Sequence, residues 1–262
     1  MKTRNAEVRS RHLFNSVAIQ KNYPLRAIRY WWVFCALVEE RERIGRPLEI
    51  VDMGCGKGIM RHFAGNGIDG RWTGLDWRVN TSNLEAAGYT TMHDCDFDQP
   101  LPQADQSVDA VIFLHVIEHL PRPVHTLAEI ARILRPGGVL LAGSPIAPKW
   151  IAQTREKLFK RQLQAGLRKP GRHINSFWPM RWRESVATAG LGLDFSTGAF
   201  LARCSGSPLE NFSWWLRLNN LWGGLFPSLG SEYYLRARKP DLANCPTNFE
   251  MANLRECVSL TS

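Results

Sequence analysis

The chain has 262 residues, of which 44% are hydrophobic and 22% charged, the composition of a globular protein that can bury a sizeable core. No apolar run approaches the roughly 18–20 residues of a membrane-spanning helix, and no signal-peptide pattern follows the basic first residues. Six scattered cysteines form no C-x-x-C pair, which is typical of reduced thiols. We therefore expect a cytoplasmic protein.

The positive charge is concentrated in one segment. The formal net charge is +9, and residues 149–184 contain ten Lys and Arg against Glu156 and Glu184, a local excess of +8. Such a patch suits an anionic partner, which could be nucleic acid, a phosphorylated substrate or an acidic membrane surface. The alternative is a solvated surface insertion without a partner.

The middle of the chain alternates β-rich runs with helical patterns, which predicts an α/β fold with a parallel sheet of βαβ units. We predict five strands, over 48–54, 71–77, 88–94, 107–114 and, after a turn at "RPGG", 139–144. Helical patterns cover 24–44, 124–134, 150–165 and 178–191. The runs 191–197 and 231–239 would close the sheet as a hairpin, whereas 198–229 fit no simple element and 240–262 resemble a loosely held tail.

A glycine-rich turn, "VDMGCGKGIM", follows the first predicted strand. Gly54, Gly56 and Gly58 allow positive φ and close approach of a ligand to the backbone. Asp76 stands twenty-two residues after Gly54, at the end of the second strand. A carboxylate at that place can accept both ribose hydroxyls of an adenosine ligand.

The identity of the adenosine ligand follows from the spacing of the turn. A dinucleotide fingerprint is G-x-G-x-x-G, whereas this turn is G-x-G-x-G with Ile59 in the last expected place. The acid Asp52 within the turn is a poor neighbour for a pyrophosphate but a good one for a cation. S-adenosylmethionine (SAM) carries a sulfonium and an ammonium group, so the pattern favours SAM over NAD.

Five stretches occur in the order and spacing of a known family. They are "EIVDMGCGKG" (49–58), "GLDW" (74–77), "CDFDQPLPQADQSVDAVIF" (95–113), "HVIEHLPRP" (115–123) and "ILRPGGVLLAGSP" (133–145). Through them the chain resembles class I SAM-dependent methyltransferases, especially the small-molecule branch that includes quinone-biosynthesis enzymes. The resemblance covers 48–145 firmly and the remainder loosely.

The resemblance implies a Rossmann-like α/β fold with a seven-stranded, mainly parallel sheet, helices on both faces, and an inserted basic, Trp-rich cap. It divides the chain into four parts. These are an N-terminal helical segment or lid (1–46), a SAM-binding core (47–146), a substrate side with the basic insertion, a late helix and the closing strands (147–239), and a tail (240–262).

The resemblance also implies which residues hold the cofactor. The turn residues would surround its methionine part, namely Asp52, Gly54, Cys55, Gly56 and Gly58. Asp76 would meet the ribose, with Trp77 beside it. Near the adenine, Asp96 fits the acid position best, with Phe97 against the ring and Asp94 as the competitor. Leu114 and His115, at the end of the fourth strand, would border the methionine part.

The spacing His115-x-x-Glu118-His119 is also the inverted zinc-peptidase signature. Two zinc ligands of that kind need a rigid i, i+4 pair on one helix, and here such a helix would have to begin inside a strand. The resemblance places His115 at the strand exit and has Glu118 and His119 begin a helix. We therefore predict no metal site.

Methyl transfer to a hydroxyl is assisted by a general base of near-neutral pKa. His119 is the first candidate, with His115 and His173 as alternatives, and a structural role at a helix start is the competing explanation for His119. We therefore predict a SAM-dependent methyltransferase that acts on a small-molecule, lipid-linked or glycan acceptor. O-methylation is favoured, and methylation of nitrogen or carbon stays open.

Acceptor choice would come from parts added to the core. In the methyltransferase family that the chain resembles, these parts are the N-terminal helix and the insertion after the fifth strand. The N-terminal helix here contains Tyr23, Tyr30 and Trp31. "HINSF" resembles an element that borders the acceptor pocket, so His173 and Phe177 are expected to line it. Basic and aromatic groups together suit an anionic acceptor with an apolar body, such as a lipid-linked sugar, a quinone precursor or a nucleotide-activated sugar.

Other interpretations stay open. A basic stripe with interleaved Trp and Phe also suits an RNA methyltransferase, and a SAM-binding fold without catalysis is a third class. Trp214, Trp215 and Trp222 beside Arg217 indicate peripheral contact with the inner membrane face, although packing over the sheet or a dimer contact would explain them equally. The oligomeric state does not follow from the sequence.

Overall fold

A computed structural model of the chain describes residues 25–166, 172–201, 209 and 212–241. It contains one seven-stranded sheet in the order β3-β2-β1-β4-β5-β7-β6. Among these strands, β7 alone runs opposite to the others, so its pairings with β5 and β6 are antiparallel and the remaining pairings are parallel. The strands are β1 (Leu48–Met53), β2 (Gly70–Asp76), β3 (Thr91–Asp94), β4 (Val108–Leu114), β5 (Leu134–Pro145), β6 (Gly192–Ala199) and β7 (Glu232–Arg238). The predicted mainly parallel α/β sheet with its closing hairpin is confirmed.

Helices cover both faces of the sheet. They are α1 (Leu25–Ile44), α2 (Ile59–Ala64), α3 (Thr81–Ala87), α4 (Pro123–Ile133), α5 (Lys149–Gln164), α6 (Pro179–Thr188) and α7 (Ser213–Leu225). One core cluster includes Leu127 and Ile130 of α4 together with Trp182 of α6. The other includes Leu37 of α1 and Leu84 of α3. These clusters form one apolar core on each face of the sheet, as an α/β sheet with helices on both faces requires.

The predicted turn at "RPGG" is wrong, because these residues belong to β5. The pairing of β4 with β5 shifts register, from Val108 opposite Leu134 to Ala110 opposite Val139. Gly137 has φ 74°, and a Cβ at Gly138 would lie 2.8 Å from the Arg135 carbonyl oxygen. The glycines therefore form a bulge within a longer strand instead of a turn before a short one.

Residues 198–229, for which no element was predicted, contain α7. Its buried residues are Leu216, Asn219 and Gly223. A Cβ at Gly223 would lie 2.3 Å from the carbonyl oxygen of Gly198, so the helix approaches β6 at backbone distance. Both faces of α7 carry apolar side chains, which is why no amphipathic period was visible in the sequence.

The sheet fixes where a ligand can bind. The strand order reverses between β1 and β4, and in parallel sheets ligands occupy the crevice outside the carboxyl ends of the strands at such a point. In the described part of the chain, no helix is both long and apolar enough to cross a membrane. The three cysteines placed there, Cys35, Cys55 and Cys95, form no disulfide.

Candidate active site

The glycine turn after β1 is built for a closely approaching ligand. Gly54, Gly56 and Gly58 have φ of 75°, 53° and 72°, a region that other residues rarely adopt. A Cβ at Gly54 would lie 2.4 Å from a methyl carbon of Val116. Any larger residue at position 54 would therefore push the turn away from the start of the segment that follows β4.

A cavity of about 630 Å³ opens beside this turn, at the carboxyl ends of four neighbouring strands. Each of these strands contributes residues at or just beyond its last position. The lining residues are Gly54, Asp76, Trp77, Cys95, Asp96, Phe97, Asp98, His115, Val116, His119, Leu120 and Pro121. The cavity thus lies at the reversal of strand order between β1 and β4.

Three aspartates, Asp76, Asp96 and Asp98, and two aromatic residues, Trp77 and Phe97, line the cavity. Asp76 Oδ2 accepts a hydrogen bond of 2.8 Å from the backbone N–H of Gly56, which ties the end of β2 to the glycine turn. Trp77 is 78% exposed, whereas Phe97 is buried. Asp96 lines the cavity.

Asp94, the competitor of Asp96, lies outside the cavity lining. Its Oδ1 accepts a hydrogen bond of 2.7 Å from the backbone N–H of Val79. Asp94 therefore holds the loop after β2, and Asp96 is the one of the two that lines the cavity.

Several residues expected to surround the cofactor lie outside the lining of the cavity. The side chains of Asp52, Cys55 and Leu114 point into packed surroundings, and Gly56 and Gly58 shape the turn through their backbone. Asp52 is buried and its carboxyl accepts a hydrogen bond from the Tyr89 hydroxyl. Leu114 packs with residues of α1.

Burial raises the pKa of Asp52 to about 6, with a smaller contribution from the charge of Asp76 and an opposing one from the Tyr89 hydrogen bond. The folded-state pKa thus lies above the ordinary value of 3.8. A carboxyl group of this kind binds its proton more tightly in the folded chain, so stability falls as the pH rises between these two values.

Asp52→Asn is expected to raise the free energy of unfolding at pH 7 by up to about 3 kcal/mol, because a shift of about two pKa units is removed. Asparagine keeps an oxygen that accepts from Tyr89. The measurement is urea unfolding of both proteins at several pH values from 4 to 7. The other carboxylates contribute equally to both proteins, so the difference in stability between the variant and the wild type should grow as the pH rises from 4 to 7. A difference that stays constant would show that Asp52 ionises as freely in the fold as in water.

His115 is the first residue after β4 and has φ 57°. This conformation is unusual for a residue other than glycine, and residues that adopt it cluster at functional sites. Its N–H donates to the carbonyl oxygen of Gly143, 2.8 Å away. The imidazole lines the cavity between two carboxylates. Nε2 lies 3.2 Å from Glu232 Oε2, and Nδ1 lies 3.6 Å from Glu118 Oε1.

Glu232, the first residue of β7, is fully buried behind His115. The Arg29 guanidinium of α1 donates to both of its oxygens, at 2.9 and 3.1 Å, and the Tyr234 hydroxyl donates to Oε2. Burial by itself would raise the pKa of Glu232, but the charge of His115 when it is protonated, the charge of Arg29 and these hydrogen bonds outweigh it and hold the pKa well below its usual range. Glu232 is therefore ionised, and its negative charge lies beside Nε2 of the His115 imidazole.

Glu232 and Arg29 were not among the site residues predicted from the sequence. The available signal was an acid at the head of the apolar run "EYYL" and an arginine within the apolar part of α1, since buried charges occur almost only in pairs. Their pairing across some two hundred positions could not be read from either segment alone.

Glu118 and His119 lie in a single 3-10 turn, Ile117–His119, and α4 begins only at Pro123. The expected helix start at Glu118 is therefore wrong. His115 and His119 do not share a helix, which removes the geometry of the zinc-peptidase signature.

The segment "HINSF" docks onto this turn. Ile174 and Asn175 donate their backbone N–H to the carbonyl oxygen of Glu118, at 2.8 and 3.0 Å. The rings of His119 and His173 meet edge to face with centroids 4.8 Å apart. Ligand-type atoms of Glu118, His119 and His173 lie within 4.8 Å of one another, so these are the described residues that could hold a metal ion if one binds at the site.

The aromatic residues expected to line the acceptor pocket lie elsewhere. Phe177 is fully buried against Trp182. Tyr30 packs against Phe63, and Trp31 against Phe34. Tyr23 lies outside the described residues. The expectation that Phe177 lines the pocket is therefore wrong, because this ring is used to cover the sheet. Tyr30 and Trp31 are partly buried against the core and lie outside the lining of the cavity.

Comparison with known proteins agrees with this architecture. Residues 51–142 match the family described as "Methyltransferase domain". A probable S-adenosylmethionine-dependent methyltransferase of Mycolicibacterium smegmatis is 35% identical over 100 residues, which are 37% of this chain and 38% of that protein. A ubiquinone biosynthesis O-methyltransferase of Ruegeria pomeroyi is 23% identical over 192 residues, covering 62% of this chain and 77% of that one.

The fold also matches solved structures. An S-adenosylmethionine-dependent methyltransferase of Mesorhizobium loti superposes with a TM-score of 0.55 at 16% identity, covering 82% of this chain and 99% of that one. A left-handed glycine turn, a carboxylate at the end of β2 and a buried aromatic ring at the end of β3 fit an adenosine cofactor with a cationic methionine part. Residues 51–142 therefore carry a methyltransferase domain, and the chain is similar to S-adenosylmethionine-dependent methyltransferases in sequence and in fold.

Proposed function

We propose that the chain transfers a methyl group from SAM to a hydroxyl group of a small-molecule acceptor. The observation that carries this proposal is the position of His115. Its imidazole lines the same cavity as the glycine turn and Asp76, and a buried, ionised Glu232 lies 3.2 Å behind it. A cofactor site and a candidate base thus share one cavity.

Asp76 and Asp96 are the side chains that would hold the adenosine part, and Gly54 allows the methionine part to approach the backbone. SAM, when bound, supplies an electrophilic methyl group together with its own leaving group. What remains for the protein is to align the acceptor with that methyl group and to exclude water. Val116 and Leu120 give the cavity wall an apolar part for this purpose.

His115 is the proposed general base, in preference to His119. A proton on Nε2, which lies 3.2 Å from Glu232 Oε2, would leave the lone pair of Nδ1 to accept the hydroxyl proton. Glu118 Oε1, 3.6 Å from Nδ1, would then stabilise the new charge. A carboxylate that fixes the orientation of an imidazole in this way is the arrangement of base and orienting group known from other enzymes.

The proposed acceptor combines a negative charge with an apolar body. The basic segment 149–184 follows β5 at the carboxyl end of the sheet, where the cavity opens. The ubiquinone biosynthesis O-methyltransferase of Ruegeria pomeroyi is a relative whose printed name indicates an acceptor of the quinone class. Lipid-linked and nucleotide-activated sugars share the same chemistry and belong in the same screen.

The test is transfer of a labelled methyl group. The purified chain is incubated with SAM carrying tritium in its methyl group and with a cell extract separated into lipid, water-soluble small-molecule and RNA fractions. We expect label in the lipid or small-molecule fraction, and none with the Asp76→Asn variant. Base-stable ether products would support O-methylation, whereas a methylated amine would contradict the proposed hydroxyl acceptor.

Two other outcomes of the same experiment correspond to other functions. Label confined to RNA, with binding that weakens steeply as salt is added, would assign the basic segment to phosphate contacts and the chain to RNA methylation. Tight binding of S-adenosylhomocysteine without label in any fraction would identify a SAM-binding protein that does not catalyse transfer.

A further inference from the structure

The helix α7 presents a continuous apolar surface to solvent. Trp214, Leu218, Leu221 and Leu225, which we call the outer face, follow one another at the spacing of one helix side. They are 54%, 39%, 60% and 64% exposed. Three further exposed apolar side chains flank the helix, namely Phe212, Phe226 and Leu229. Contiguous apolar surface of this kind marks an interaction site more often than scattered apolar residues do.

The opposite side of α7 is packed, so the outer face is held in place. Asn219 Oδ1 accepts a hydrogen bond of 2.8 Å from the backbone N–H of Leu201. Leu216 is buried with Phe200 and Tyr234. The helix therefore has a fixed orientation, and its exposed leucines are not the result of a poorly docked helix.

The cations near the outer face indicate what kind of partner this surface binds. Ile146 donates its N–H to the carbonyl oxygen of Ser231, at 3.1 Å, and Leu229 precedes Ser231 by two residues. The chain leaving α7 thus meets the chain that enters α5. The exposed cations of α5 are Lys149, Arg155, Lys157, Lys160 and Arg161, and Trp150 beside them is 71% exposed.

Other partners fit less well. A second copy would bring together two chains that each carry a net charge of +9. A nucleic acid is bound by cations along its backbone, whereas α7 has one cation, Arg217, in thirteen residues. An anionic lipid surface satisfies both features, because its headgroups attract lysine and arginine while its interfacial region accepts tryptophan and leucine.

We propose that the outer face of α7 inserts into the interface of an anionic membrane, with the cations of α5 against the headgroups. The chain is then a peripheral membrane protein whose cavity opens at the carboxyl end of the sheet, the end at which α7 and α5 are placed. This inference does not depend on the proposed methyl transfer, since it concerns a different surface and its test needs no acceptor.

The test is partition of the full-length chain onto vesicles, measured by co-sedimentation. Vesicles of phosphatidylglycerol and phosphatidylcholine are compared with vesicles of phosphatidylcholine alone. We expect binding to the anionic vesicles, reduced by salt, and about fivefold weaker for each cation of α5 that is removed. Leu221→Glu combined with Leu225→Glu should lower the partition coefficient by about 100-fold or more, because two leucines no longer leave water.

Leu193→Glu is the matched control. Leu193 lies near the start of β6, at the other end of the sheet from α7, and is 37% exposed. This variant should bind vesicles as the wild type does. Binding of S-adenosylhomocysteine, measured on all variants in vesicle-free solution, checks that each is folded.

Three results would overturn the proposal. The first is absence of wild-type binding to anionic vesicles, and the second is unchanged binding by the Leu221→Glu, Leu225→Glu variant. The third is a wild-type dimer in vesicle-free solution that this double variant converts to monomer, which would make the outer face an interface between two copies. Loss of methyl transfer with retained vesicle binding would affect the proposed function alone.

Discussion

Asp76→Asn is expected to weaken binding of S-adenosylhomocysteine by about 100-fold, because hydrogen bonds from two ribose hydroxyls to an ionised carboxylate are replaced by bonds to a neutral amide. Asparagine keeps an oxygen for the N–H of Gly56, which Asp76 binds at 2.8 Å, so the glycine turn should persist. Titration calorimetry measures the dissociation constant, and urea unfolding measures whether stability has changed.

Asp94→Asn is the matched control for this prediction. Asp94 is the register partner of Asp76 on the neighbouring strand β3, and its carboxylate accepts from Val79 outside the cavity. The same charge is removed one strand away, so the two variants share any general electrostatic effect. Unchanged binding by Asp76→Asn would contradict the assignment of Asp76 to the ribose. Loss of binding by Asp94→Asn alone would show that the cofactor contacts Asp94 instead.

His115→Asn is expected to lower kcat by about 100-fold or more, the usual contribution of a general base, while S-adenosylhomocysteine binding changes by less than about threefold. Asparagine is the substitute of choice because the residue has φ 57°, and asparagine tolerates this left-handed conformation better than most residues. The measurement is kcat with the acceptor that the labelling experiment identifies. His119→Asn, the comparison variant, should lower kcat by less than about tenfold; the reverse ranking would make His119 the base.

Glu232 acts through His115 and is therefore a positioning residue. Glu232→Gln should also lower kcat, and it should destabilise the fold by about 3–5 kcal/mol, because Arg29 is left buried without its charge partner. The double variant Arg29→Gln, Glu232→Gln removes both charges and should regain part of that stability without regaining kcat. Recovery of kcat together with stability would show that Glu232 supports the fold and does not orient the imidazole.

The metal content of the purified protein and the effect of a chelator on its activity should be measured as well. Glu118, His119 and His173 bring ligand-type atoms within 4.8 Å of one another, whereas the sequence led us to expect no metal. Activity that survives a chelator would leave the histidines to proton transfer and packing. Activity lost to a chelator and restored by a divalent ion would give this cluster a direct part in binding the acceptor.

Much of the fold could be predicted from local patterns. The apolar runs that became β1 and β4 are buried on both faces, as expected for inner parallel strands, and α4 agrees with the prediction to within one residue at each end. The failures have local causes too. At "RPGG" a pair of glycines makes a bulge within β5, and in α7 an exposed apolar face hides the period of the buried one.

The cofactor side of the site was also accessible from the sequence. The glycine turn and the acid at the end of β2 are separated by one βαβ unit, and parallel pairing puts both at the same edge of the sheet. The resemblance favoured Asp96 over Asp94, but the sequence held no physical reason for that preference. That choice depends on which carboxylate the loop after β2 engages, and Val79 engages Asp94.

By itself, the sequence determined the mainly parallel sheet, the glycine turn after β1 and the likeness to methyltransferases, because these depend on hydrophobic periods and turn chemistry within short stretches. Only the tertiary structure decided which histidine has a carboxylate behind it and which side of α7 faces water. Arg29 and Glu232 are 203 positions apart, and they meet because β7 inserts beside β5 and α1 packs across it. Such contacts depend on strand order and helix docking, which no local pattern encodes.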